Sequence, residues 1–386
     1  MTTPAVERLL LGPGPSAVSA RVMRAMSTPV LGHLDPQLLD TMDRLRGQIA
    51  RVFKAPAGSL ALAVSGTGTA AMETAVANLV TPSARIVSVV NGYFGERLAV
   101  MAERYGATVT RVSAEWGRAV DPAAVAAAIA RDRPMVVTVV HAETSTGVRN
   151  PVPEIAAAAH AADALVIVDT VTSLGGMPVD MASWGVDACY SAGQKCLGAP
   201  SGLSPIAFGP RALERRVPCR CFYLDLDLLE QYWIGRKYHH TIAATLVYAL
   251  SESLAEVEDE GLDARWARHA RHHAALTAGL EALGLPLVVP PADRLWTLHT
   301  PRVPDGIDEA SVRRDLRERY SIEIGAGLGP LAGRVWRIGL MGASSTPGAI
   351  IQLLGALEAL LAQAATRAPS GAGVGAALDT LRAVPA

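Results

Sequence analysis

The segment Leu165-Val166-Ile167-Val168-Asp169 decides the fold, together with Asp187-Ala188-Cys189-Tyr190-Ser191 and the Gln194-Lys195 pair that follow it. An apolar, β-branched run of this kind reads as a buried parallel strand, with Asp169 at its carboxyl end. The second short strand leads to Lys195, which is flanked by Gly193 and by Gly198-Ala199-Pro200. Ligands bind at the carboxyl edge of an α/β sheet, among strand ends and the loops beyond them. An acid and a lysine brought side by side there point to a lysine that joins a pyridoxal cofactor and an acid that keeps its ring nitrogen protonated. In isolation the pair reads more simply as a strand-end aspartate and a solvated lysine. The rest of the chain has to decide.

The 386 residues suffice for a large core and two domains. Half of them are hydrophobic and 18% charged, with net charge −1, so no basic stripe for nucleic acid exists. Few aromatics and abundant alanine favour helices packed on a sheet. The four cysteines (Cys189, Cys196, Cys219, Cys221) show no metal-like pairing, and Cys219-x-Cys221 is too tight for an ordinary disulfide framework. No signal peptide and no apolar run of about 18 residues is apparent, so no membrane span is expected. Reduced thiols and a cytoplasmic setting are the expectation.

Before the opening segment, Leu9-Leu10-Leu11-Gly12-Pro13-Gly14-Pro15-Ser16 reads as an extended N-terminal arm over 1–20, since its Gly-Pro pairs cannot continue a helix. A helix follows over 36–53. Ser59 to Val64 then reads as a strand that enters Ser65-Gly66-Thr67-Gly68-Thr69-Ala70-Ala71 and a helix. Strand, glycine turn and helix together form an anion site, with backbone N–H groups and threonine hydroxyls aimed at a phosphate. The rival is a dinucleotide fingerprint, because Gly66-x-Gly68-x-x-Ala71 fits GxGxxA. That fingerprint needs an acid at the end of the next strand, and Arg85 to Val90 ends in Asn91. A monophosphate cradle remains.

Phe94 stands just past that strand end, where it can stack on a planar ring or pack in the core. Strands near 107–113 and 135–141, with helices at 121–131 and 153–162, complete a doubly wound, mostly parallel sheet. Leu203 to Phe208 adds a strand, and an aromatic-bearing loop opens at Phe222-Tyr223-Leu224-Asp225 and closes at Tyr238-His239-His240-Thr241. The adjacent histidines would point to different faces of a helix and have no acidic partner, so no metal is expected. A helix over 241–259 ends near Gly261, the expected boundary between a large domain (21–260) and a small C-terminal domain (261–386). The small domain reads as helices over 263–283, 308–319 and 347–365 with strands at 295–299, 321–324 and Arg334 to Leu340. Alternation does not say whether Arg337 faces the cleft. The Ala-, Gly- and Pro-rich tail from 366 is expected to be loose.

Taken in order, Gly12-Pro13-Gly14-Pro15, Ser65-Gly66-Thr67-Gly68-Thr69, Glu143-Thr144-Ser145-Thr146-Gly147, Val168-Asp169-Thr170-Val171, Gly193-Gln194-Lys195-Cys196, Phe222-Tyr223-Leu224-Asp225, Tyr238-His239-His240-Thr241 and Arg337-Ile338-Gly339 resemble the class V aminotransferases. The likeness is closest to the alanine–glyoxylate (serine–pyruvate) aminotransferases and runs from about Leu9 to Leu361. It implies fold type I, with a seven-stranded, mostly parallel sheet in the large domain, pyridoxal 5′-phosphate as cofactor, and a homodimer with shared active sites.

Residue by residue, the resemblance implies that Lys195 carries the internal aldimine and moves the proton, while Asp169 pairs with the pyridinium nitrogen. Thr67, Gly68, Thr69 and Gln194 would hold the phosphate, joined by Tyr238 and Thr241 of the partner subunit. Phe94 replaces the family's usual stacking tryptophan, Thr144 would contact the cofactor oxygen, and Val171 would pack under the ring. Arg337 would grip the substrate α-carboxylate through a bidentate pair, with Gly14 and Thr144 beside it. His33 matches an entrance position in some relatives, and a turn histidine is the plain alternative. The segment 226–237 departs from relatives near the pocket.

The resulting expectation is an aminotransferase that moves an amino group from alanine or serine to glyoxylate or pyruvate. The alternatives are a class V lyase, which as a desulfurase would need a mobile loop cysteine, a biosynthetic aminotransferase with a different acceptor, or a pyridoxal-binding domain without turnover.

Overall fold

A computed structural model describes residues 7–362 and 369–383. The strands of its central sheet are β1 (Leu60–Ser65), β2 (Arg85–Val90), β3 (Thr108–Ser113), β4 (Val136–Val140), β5 (Leu165–Asp169), β6 (Ala188–Tyr190) and β7 (Leu203–Phe208). Their spatial order is β1-β7-β6-β5-β4-β2-β3. All neighbours run parallel except β7, which is antiparallel to both β1 and β6. β4 and β5 are buried along their whole length. That is why these segments read as continuous apolar runs: helices cover both faces of a parallel sheet.

The helices up to β5 are α1 (Ala20–Met26), α2 (Pro36–Val52), α3 (Gly68–Leu79), α4 (Tyr93–Arg104), α5 (Pro122–Asp132) and α6 (Val152–Ala161). α2 and α5 start at an aspartate followed by proline: Asp35 accepts from the Gln37 N–H at 2.8 Å and Asp121 from that of Ala123 at 2.9 Å. Each cap is worth about 1 kcal/mol. The N-cap of α3, Thr67, makes no such side-chain bond. The helix of the phosphate-like turn therefore keeps its terminal donors.

α7 (Pro210–Glu214), α8 (Leu226–Trp233) and α9 (Ala244–Glu260) pack into a first core built on the sheet, and Gly261, at φ +80°, lies between α9 and α10 (Leu262–Ala282). α11 (Glu309–Arg319), α12 (Pro347–Ala362) and α13 (Ala372–Ala383) pack with α10 around a second, smaller core that includes Leu276, Leu280, Trp336, Ile338 and Leu357. The arm spans both units. Leu9–Leu10 pairs in parallel with Ile322–Glu323, and Leu11 enters the small core.

Three local expectations change. The segment after Phe222 is not an open loop: a 3-10 turn (Phe222–Leu224) leads into α8, which is capped by Asp225 and buries Leu226, Leu229, Tyr232 and Trp233. His239 and His240 do not lie on a helix, because α9 begins only at Ala244. The tail is helical over Ala372–Ala383, while 363–368 and 384–386 lie outside the described residues. Its small residues, read as looseness, permit close packing instead: a Cβ on Gly279 of α10 would lie 2.9 Å from the Gly373 carbonyl. Glu358 also accepts from the N–H groups of Gly371, Gly373 and Val374, closing the start of α13.

Candidate active site

At the carboxyl ends of β4 and β5, a cavity is lined by Thr67, Gly68, Thr69, Phe94, Thr144, Asp169, Val171, Gln194 and Lys195, with Met72, Arg97, Val140, Ala142 and Thr172. The sheet brings these together because consecutive β–α units deliver their loops to one edge. Asp169 is buried, with Oδ1 accepting from the Val171 N–H at 2.8 Å and Oδ2 from the Tyr190 hydroxyl at 3.0 Å. Burial pushes its carboxyl up to about 7, against the pull of those two donors. Tyr190 escaped notice in the sequence; its signal was its place at the end of the neighbouring strand, in register with Asp169.

Lys195 sits in a tight turn, Gly193–Leu197, closed by Gly198 in the left-handed region. The turn is clasped from two sides. Ser16 of the arm donates through its N–H to the Gln194 carbonyl at 2.9 Å and through its hydroxyl to the Lys195 carbonyl at 2.7 Å, while Arg265 donates to the Cys196 carbonyl at 2.8 Å. The lysine ammonium donates to the Pro13 carbonyl. Gly14 has φ +113°, which favours glycine, and a Cβ there would displace the end of the Lys195 side chain. Burial lowers the Lys195 amine to about 8.

Arg337 faces the cleft side, which alternation alone left open. Its Nε donates to the Ala326 carbonyl at 2.6 Å and Nη1 to the Thr144 carbonyl at 3.2 Å. Among the described residues it has no ion pair, and burial brings its guanidinium down to about 10. Glu143, next to Thr144, is fully buried and was not singled out from the sequence. It accepts from the N–H groups of Phe94 (3.1 Å), Gly95 (3.0 Å) and Ser145 (3.1 Å) and from the Ser145 hydroxyl (2.6 Å). One carboxylate thereby caps α4, which carries Phe94, and fixes the loop that carries Thr144.

Tyr238 and Thr241 do not border this cavity in the protomer. Tyr238 is 58% exposed and its ring lies 4.9 Å from that of His33. Behind it, Ser65 Oγ lies 2.7 Å from His240 Nε2, the two histidine Nδ1 atoms are 2.7 Å apart, and His239 Nε2 lies 3.1 Å from the Phe222 carbonyl. Only one set of neutral tautomers satisfies that chain: His239 donates to the carbonyl, His240 to His239, and Ser65 to His240. No group of three metal-ligating side chains occurs among the described residues.

A larger cavity of about 860 Å³, lined by Leu197, Gly198, Glu260, Arg268 and Arg271 among others, lies behind the lysine turn and includes neither Asp169 nor Lys195. Acid, amine and uncapped helix meet in the smaller one, which is the candidate site.

Comparison with known proteins decides the family. The description "Aminotransferase class-V" matches residues 13–333. The chain belongs to the class V aminotransferases. Its sequence is 37% identical to the (S)-ureidoglycine–glyoxylate transaminase of Bacillus subtilis, over 96% of this chain and 95% of that protein. It is 39% identical to the alanine–glyoxylate aminotransferase of Drosophila melanogaster, over 91% of each. The crystal structure of an alanine–glyoxylate aminotransferase from Nostoc superposes with TM-score 0.91 at 44% identity, covering 94% of this chain and 97% of that one. The fold is that of the fold type I enzymes and the cofactor of this class V aminotransferase is pyridoxal 5′-phosphate.

The residues fit that group. The buried Gln194 Oε1 has no hydrogen-bond partner, so its amide is free to turn toward a ligand. The N-terminus of α3 keeps unspent donors, and a Cβ on Gly68 would press on Val171 and Ala192 at 3.1 and 3.2 Å, filling the floor of the cradle. No helix among the described residues is long and apolar enough to cross a membrane.

Proposed function

We propose that this class V aminotransferase is a homodimer that moves the amino group of a small L-amino acid, alanine or serine, to glyoxylate or pyruvate. One observation carries the reading: an amine and a buried acid line one cavity, and a buried guanidinium without an ion pair among the described residues donates to the carbonyl of Thr144 in its wall. A transaminase needs a base, an electron sink and a fixed carboxylate, and those three groups are the means.

Pyridoxal 5′-phosphate, when bound, supplies the electron sink for the carbanion left at the substrate α-carbon. Lys195 is the point of covalent attachment. Its amine, held near 8 by burial, is neutral often enough at neutral pH to act as nucleophile and then as base. Its Nζ would be the group that accepts the proton from the substrate α-carbon and gives it back. Asp169 is kept in one orientation by Val171 and Tyr190. A protonated ring nitrogen opposite it reverses the effect of burial, because an opposite charge favours the carboxylate. Thr67, Gly68, Thr69 and Gln194 would hold the phosphate, Phe94 and Val171 would pack against the ring, and Thr144 would contact its oxygen. Arg337 takes the substrate α-carboxylate, with Gly14 and Thr144 alongside. Tyr238 and Thr241 would reach the phosphate of the partner's site, a reading supported by the exposure of Tyr238 on an otherwise anchored segment.

A second reading, a ureido-bearing donor, is supported by the likeness to the Bacillus subtilis protein along nearly the whole chain. A lyase of the desulfurase kind fits less well: the Cys196 thiol is buried against the Thr172 carbonyl and pushed up to about 12, the opposite of a nucleophile. The test is a half-reaction screen. Purified holoenzyme is mixed with alanine, serine and (S)-ureidoglycine in turn, and conversion of bound cofactor to its amine form is followed by absorbance. Conversion by alanine or serine supports the proposal, conversion by (S)-ureidoglycine alone transfers the donor to the second reading, and no conversion by any of the three sinks the proposed donors.

A further inference from the structure

Arg97 stands on α4 three residues beyond Phe94 and borders the same cavity as Thr67, Thr69 and Gln194. Residues three apart share one helix face, so the guanidinium lies over the ring, 5.0 Å from the Phe94 centroid and 5.0 Å from that of Tyr93. Its Nη1 donates to Thr69 Oγ1 at 3.0 Å. No ion pair involves Arg97 among the described residues. The neighbouring Glu96 is engaged by Arg111 at 2.9 Å, and Glu143 is engaged by backbone N–H groups and Ser145. A cation without an acid therefore faces the cofactor cavity.

The charge balance of the cradle makes that significant. A phosphate monoester carries nearly two negative charges at neutral pH. The donors assigned to it in this chain, Thr67, Thr69, Gln194 and the first N–H groups of α3, are all neutral, and a helix terminus contributes only about half a charge. The other cation lining the cavity, Lys195, is turned to the Pro13 carbonyl.

We propose that Arg97 is the charge partner of the cofactor phosphate. It acts directly through guanidinium N–H groups that no acid occupies. It also acts through Thr69, whose oxygen, by accepting from Arg97, must aim its own proton at another acceptor. This inference rests on placing the phosphate at Thr67–Thr69. A purely structural role, propping Phe94 against the ring, is the alternative.

Pyridoxal, which lacks the phosphate, separates the two. Apoenzyme of the wild type, Arg97→Gln and Arg97→Lys is titrated with pyridoxal 5′-phosphate and with pyridoxal, with affinity read from quenching of tryptophan fluorescence and folding checked by thermal melting. Loss of a charge-assisted contact predicts that Arg97→Gln weakens pyridoxal 5′-phosphate on the order of 10- to 100-fold while pyridoxal changes less than about twofold. Arg97→Lys should recover most of the loss. An equal fall for both ligands, or no fall for either, overturns the inference. A wild type that binds the two ligands equally overturns the cradle assignment beneath it.

Discussion

The pocket around Asp169 and Lys195 and the segment from Phe222 to Tyr238 are built in opposite ways. In the pocket, both oxygens of Asp169 are engaged, the lysine turn is clasped by Ser16 and Arg265, and Glu143 takes four donors. In the segment, Phe222 is 68% exposed and Tyr238 58%, although the backbone is anchored from beneath by the Ser65–His240–His239 chain. An anchored segment with bare aromatic tips costs little to order and leaves apolar area unburied, which suits a surface completed by another chain. One region is closed by its own contacts; the other leaves its aromatic tips exposed, which is where the proposed homodimer would close it.

The sharpest way to break the contrast is at the self-contained end. Lys195→Ala should lower transamination by at least about 10⁴-fold, since nucleophile and base are lost together. Steady-state rates check this, and an unchanged rate would remove Lys195 from the chemistry. Asp169→Asn should cost about 10²- to 10⁴-fold in kcat, because a neutral amide does not hold a ring nitrogen protonated. Glu143→Gln turns amide hydrogens toward donors and should lower stability of the ligand-free protein by about 2 kcal/mol, measured by urea unfolding. Tyr238→Ala should change it by less than about 0.5 kcal/mol in the same assay, as an exposed position does.

The open end is tested by mixing. If Tyr238 serves the partner's site, inactive Lys195→Ala and impaired Tyr238→Ala proteins, dissociated and reassociated together, should regain about a quarter of wild-type activity, since a mixed dimer holds one intact site. Absence of recovery would put Tyr238 back in its own protomer. A further effect concerns pH. Because the Lys195 amine is lowered to about 8, its neutral form grows as pH rises through 8, and cofactor capture by the apoenzyme should speed up about tenfold between pH 7 and 9. An unburied lysine would show its midpoint above pH 10.

Glu143 and Arg97 show where reading from the sequence stopped. Each sits beside a residue that was recognised, Thr144 in one case and Phe94 in the other, yet neither carries a signal of its own. A glutamate after a strand and an arginine on a helix are ordinary until the helix and loop are placed in space. The tail failed for a related reason: glycine and alanine lower local propensity, and only the partner helix α10 turns their small size into packing.

The sequence by itself determined the sheet, because strands buried on both faces leave unbroken apolar runs, and it determined that the turn at Thr67–Thr69, Asp169 and Lys195 meet at one edge, because each follows a strand of that sheet. Tertiary structure alone decided which way Arg337 faces and what holds Asp169 and Lys195 in place. Those features depend on contacts between elements far apart in the chain, and period and propensity carry no information about such contacts.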